Sequence, residues 1–214
     1  MRTAATAILR VALIGAATLV VSSLVEIPPG PALPALTAIA TLLAALIALI
    51  LFCPKERATL PALLGWCAIT TLLAGNWLLL NPVTHTLWPD LPNLLMGTFF
   101  FYALCLSAAR LIGAPLVTTL VVVLTFTPVW AAPVAELAGN PLWLTNAIVA
   151  VSPASMLAVA LDLDLMRTTW FYEHSAIGSL RYSYVPWAVY VVTLTVLVVA
   201  AGSHSHLFQR KNSK

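Results

Sequence analysis

The residue types best suited to chemistry lie close together. Asp162, Asp164, Arg167, Trp170, Tyr172, Glu173, His174 and Arg181 share the one long polar stretch, residues 162–184. Carboxylates near an imidazole can hold a divalent metal through oxygen and nitrogen. One reading is therefore a membrane enzyme using Asp162, Asp164, Glu173 and His174. Yet residues two apart do not share a helix face, and His174 stands ten positions beyond Asp164. The plainer reading is a solvated loop with a local ion pair, Asp164 with Arg167, at the i, i+3 spacing that brings helical side chains together. Trp170-Phe171-Tyr172, Tyr182, Tyr184 and Trp187 add an aromatic group to the same stretch. Such residues gather at the membrane–water interface, and they can also dock another subunit.

Other chemistries lack their signatures. The sequence has no Gly-x-Ser-x-Gly, no His-Glu-x-x-His and no P-loop. Cys53, Cys67 and Cys105 lie in or at the end of apolar runs, with no zinc spacing and no paired disulfide pattern. A membrane haem needs histidines inside facing helices, whereas His85, His174, His204 and His206 fall outside or at the ends of the apolar runs. The dispersed basic residues form no nucleic-acid patch. The expectation is no catalytic residue set, no cofactor and no bound metal, with the polar cluster as a partner-docking face.

The elements that position this cluster are apolar helices. The chain has 214 residues, 61% hydrophobic and 8% charged, with a mean hydropathy of +0.99. A soluble domain carries roughly 25% charged residues and needs them to cover its surface, so lipid must cover this one. Runs of about 20 apolar residues predict spans at 7–25, 33–52, 60–80, 94–111, 116–132 and 186–201. The first follows Arg2 and Arg10 and reads as an uncleaved helix rather than a signal peptide. Residues 142–161 are apolar but interrupted by Asn146 and Ser152-Pro153. The fold class is all-α: one polytopic transmembrane helix bundle over residues 1–214, of about six spans. The interrupted segment is a re-entrant or interfacial broken helix before the last span, followed by a polar loop at 162–184.

Positive residues mark the cytoplasmic side. Six spans place Arg2, Arg10, Lys55, Arg57, Arg110, Arg210, Lys211 and Lys214 inside with both termini, and leave Arg167 and Arg181 outside. Seven spans, with 142–161 crossing, would instead misplace Arg210, Lys211 and Lys214. The six-span arrangement is preferred. The compact, loop-poor design reads as an integral protein of a bacterial inner membrane.

Asn140-Pro141 through Val151-Ser152-Pro153-Ala154-Ser155 forms a broken outer element between the last two spans. With six spans and both termini inside, this layout resembles the membrane (permease) subunits of type-2 ABC exporters, over about Gly97 to Ala201. The resemblance implies a permease-like subunit of a transport complex, driven by a separate ATPase that would meet the Lys55-Glu56-Arg57 loop. The alternative is a non-catalytic accessory subunit of a larger redox, respiratory or photosynthetic membrane complex. Either implies a lipid bilayer and other membrane subunits as partners, and no nucleic acid.

Overall fold

The computed structural model describes residues 6–7, 9–16, 32–53 and 60–211. All its regular elements are helical. Residues 9–16 are helical (α1), and the rest of the expected first span, 17–25, lies outside the described residues, as does the Lys55-Glu56-Arg57 loop.

Leu33–Phe52 (α2) is the axis of the bundle. It has no charged side chain, and a proline stands in its first turn, where a missing N–H breaks no hydrogen bond. It ends at Cys53, in extended backbone, because Pro54 disfavours helix in the residue before it. Small and large apolar residues alternate along it. Ala38, Leu42, Ala45, Leu46 and Leu49 are all buried. Around it pack Leu60–Leu80 (α3) and Leu91–Ile112 (α4). The buried Tyr102 hydroxyl donates to the Leu42 carbonyl and ties α4 to α2. The α4 helix begins three residues before the expected span at 94, since Pro92 suits a first turn.

The expected span 116–132 is not one helix. Ala114–Thr125 (α5) stops at Phe126, and Thr127–Trp130 (α6) and Ala132–Leu137 (α7) continue at a bend of 54°. Pro128 and Pro133 remove the N–H groups that would carry the ladder through. A Gly139–Asn140 turn closes α7: both residues have positive φ, and the Asn140 N–H donates to the Ala135 carbonyl at 2.8 Å.

Residues 142–161 form two helices, Leu142–Ala150 (α8) and Pro153–Ala160 (α9), bent by 82°. Pro153 enforces the break. Helix α9 is buried along nearly its whole length and packs against α2, α4 and α5. The two bends meet at Ser152. Its Oγ accepts the Ser155 N–H at 3.4 Å, capping α9, and donates to the Thr125 carbonyl at 3.1 Å, the group exposed where α5 stops.

The stretch 162–184 is not a plain polar loop. It holds two 3-10 turns (Leu165–Arg167 and Ala176–Ser179) around a short helix, Thr169–His174 (α10). Leu165, Met166, Phe171, Ile177 and Leu180 are spaced among the polar residues and are buried. The last helix, Trp187–Lys211 (α11), runs beyond the expected end at 201 and packs on α4. A Cβ on Gly97 would overlap Cη2 and Cζ2 of Trp187. Only glycine leaves room there for the indole.

Among the described residues, three helices are long and apolar enough to cross a membrane, Leu33–Phe52, Pro61–Leu80 and Leu91–Ile112; counting each bent pair as one span makes five. Leu72, Leu80, Leu111, Leu120 and Val196 point away from the core on α3, α4, α5 and α11. Such faces suit hydrocarbon rather than water.

Two substitutions test this packing by thermal unfolding in detergent. Gly97→Ala should cost roughly 1–3 kcal/mol through overpacking against Trp187. Gly65→Ala, where nothing stands within 4 Å, should be neutral or raise stability by up to about 1 kcal/mol through helix propensity. A third, Ser152→Ala, should cost roughly 1–3 kcal/mol by stranding the Thr125 carbonyl.

Candidate functional site

The polar cluster is built on Asp164. Its Oδ1 accepts the Tyr182 hydroxyl at 2.6 Å and the Tyr184 hydroxyl at 3.0 Å. Its Oδ2 lies 3.4 Å from Arg167 Nε, with both side chains largely solvent-facing. The local pairing of Asp164 with Arg167 is thus present. Tyr182 and Tyr184 alternate in the extended segment before α11, so both rings reach one side. They meet edge to face with centroids 5.5 Å apart. The Tyr184 oxygen also accepts the Met166 N–H at 3.2 Å.

Asp162 does something else. Its φ is +50°, in the left-handed region. The Leu163 N–H donates to the Ala158 carbonyl at 2.9 Å and the Asp162 N–H to the Val159 carbonyl at 3.3 Å. These are the two bonds that close a helix at a left-handed residue. Asp162 therefore ends α9, with its side chain exposed. Asp162 and Asp164 have different structural roles. Tyr172 and Glu173 are exposed on α10, and Arg181 is exposed at the start of the extended segment. The side chains of Trp170 and His174 lie outside the described part. Among the described residues, no three His, Cys, Asp or Glu side chains come together as a metal group. Asp164 spends its oxygens on two phenols and a guanidinium. That makes it a tie between distant segments.

The whole stretch is a strap over both helix breaks. Ser175 Oγ donates to the Pro128 carbonyl in α6 at 2.6 Å and accepts the Ile177 N–H at 3.2 Å. Asn146 Oδ1 on α8 accepts the Ser183 N–H at 2.8 Å. The Tyr190 hydroxyl on α11 donates to the Ala150 carbonyl at the end of α8, at 3.1 Å. Residue types alone give no sign of Ser175 or Asn146 in this role, because their partners are distant in the chain.

Burial holds the Tyr182 and Tyr184 phenols protonated well above the usual tyrosine range, and the neighbouring Asp164 carboxylate adds to the effect. The sign follows directly. An unfolded tyrosine loses its proton near pH 10, while these keep theirs when folded. The strap's contribution is therefore complete below about pH 10 and is lost as pH rises beyond it. Limited trypsin digestion at Arg167 and Arg181 should accelerate above pH 10. Asp164→Ala should accelerate it already at neutral pH, by a loosening of about 1 kcal/mol for a solvent-facing tie; unchanged cleavage in that variant would refute the strap's dependence on Asp164.

Compared with known protein families, curated proteins and solved structures, the chain matches none.

Proposed function

We propose that the chain is an integral membrane protein acting as the permease-like subunit of a transport complex, driven by a separate ATPase. In this reading it sits in a bacterial inner membrane with both termini cytoplasmic. Residues 7–25 and α11 join α2, α3, α4 and the bent α5–α7 element as six spans. The α8–α9 element is re-entrant from the outer face, with the strap above it. The type-2 ABC exporter layout is the arrangement this resembles.

The observation that carries the reading is the broken element itself. Irregular backbone at membrane depth is tolerated only where protein buries it or a cavity is lined by it, and transporters place such breaks at their working centre. Here α9 is seated among α2, α4 and α5. Its Ser155 hydroxyl is buried and has no hydrogen-bond partner among the described residues, as is the Thr41 hydroxyl on α2. A second reading, a non-catalytic accessory subunit of a larger complex, is favoured by the absence of any charged side chain from α2 and α3. That composition offers no ion path through those helices.

Purification of the tagged full-length protein in mild detergent separates the two. The transport reading expects a P-loop ATPase to co-purify. Isolation with a redox or photosynthetic assembly would replace it with the accessory reading. For topology, Glu173→Cys on the exposed face of α10 should react with an impermeant maleimide in intact spheroplasts. Protection until lysis would put the strap inside and favour seven spans.

A further inference from the structure

A cavity of about 310 Å³ opens at the end of the bundle opposite the strap's attachment to α8 and α9, where α2 and α4 finish and α5 begins. Ile50, Cys53, Leu106, Ala109, Arg110 and Pro115 line it. Its character is split. The walls are apolar, while Arg110 in the last turn of α4 brings a guanidinium to the mouth. Among the described residues, Arg110 has no ion pair and no hydrogen-bond partner.

A second arginine acts on Cys53, one of the lining residues. Burial pushes the Cys53 thiol up to about 11, against the lowering pull of Arg110 and Arg10. Arg10 belongs to α1, so arginines from two helices act on Cys53. The neighbouring outward surface is strongly apolar: Leu51, Leu111, Ile112 and Leu116 are each at least 49% exposed.

Cationic mouth, apolar walls and apolar apron together match one kind of ligand. A soluble phosphate would use the arginine and leave the apron idle. A zwitterionic headgroup would bring its own cation toward the Arg110 guanidinium. An anionic phospholipid uses every part. We propose that this cavity holds the phosphate headgroup of an anionic phospholipid, with Arg110 as its principal partner and the acyl chains lying along Leu111, Ile112 and Leu116. Arg is suited to this role, since its planar fork can grip two phosphate oxygens. Basic pockets between membrane helices bind such headgroups at a bilayer surface. The assignment rests on the chain residing in a bilayer and not on what it transports.

Native mass spectrometry of the full-length protein in dodecylmaltoside provides the test, with phosphatidylglycerol and phosphatidylcholine of identical chains as probes. The wild-type protein should retain phosphatidylglycerol preferentially. Arg110→Gln should lower that retention about fivefold, the weight of one basic residue near an anionic lipid surface, and Arg110→Lys should restore much of it. Ala109→Leu, which fills the cavity without touching charge, should also lower it. Arg110 is exposed, so its variants should unfold at the wild-type temperature. Equal retention of the two lipids, or retention of phosphatidylglycerol unaffected by Arg110→Gln, overturns the proposal. Complete displacement of phosphatidylglycerol by millimolar inorganic phosphate also overturns it, by making the site one for a free anion.

Discussion

A helix that breaks in apolar surroundings strands carbonyls and N–H groups with no water to take them, and such a group costs several kcal/mol in hydrocarbon. This chain breaks twice in that setting, and most of its architecture follows from how the stranded groups are met. Ser152 is the central case. One hydroxyl caps the helix that starts after the second break and fills the carbonyl left by the first. The pattern repeats with different side chains. Trp130 Nε1 donates to the Val123 carbonyl at 2.9 Å. Ser175 reaches Pro128, and Tyr190 reaches Ala150. The breaks are closed partly by their own residues, Trp130 and Ser152, and partly by side chains from the strap and α11, so local sequence and tertiary structure hold the bends together.

This explains why the strap is built as it is. It has to be polar, because it supplies donors to stranded carbonyls and anchors itself through Asp164. It also has to be apolar at intervals, because Phe171, Ile177 and Leu180 seat it on the bundle. The mixed composition of residues 162–184 reflects those two demands at once. The carboxylate at its centre makes three polar contacts.

The parts legible in the sequence were those governed by local rules. Leu33–Phe52 and Leu60–Leu80 follow from run length and from the prolines that bound them. The Ser152-Pro153 step announced a break, and the i, i+3 spacing announced Asp164 with Arg167. The break at Phe126 was hidden, because Thr127-Pro128 lies within a continuous apolar run and a proline there can equally be a tolerated kink. Asp162 looked like half of a carboxylate pair because composition carries no φ angle. The phenol partners of Asp164 and the carbonyl partner of Ser175 were invisible for a plainer reason: Tyr182 is 18 residues away and Pro128 is 47, and no periodicity connects residues across that distance.

The notch at Gly97 bears on the order of assembly. A membrane protein is threaded into the bilayer from its N-terminus as it is made, so α4 is in place well before the residue that fills its notch has left the ribosome. Until Trp187 arrives, the bundle presents lipid with a missing piece the shape of an indole. Helix α11 therefore works as a keystone for α4, and its docking closes that notch. Intermediates stalled before that point would carry an open seam along α4.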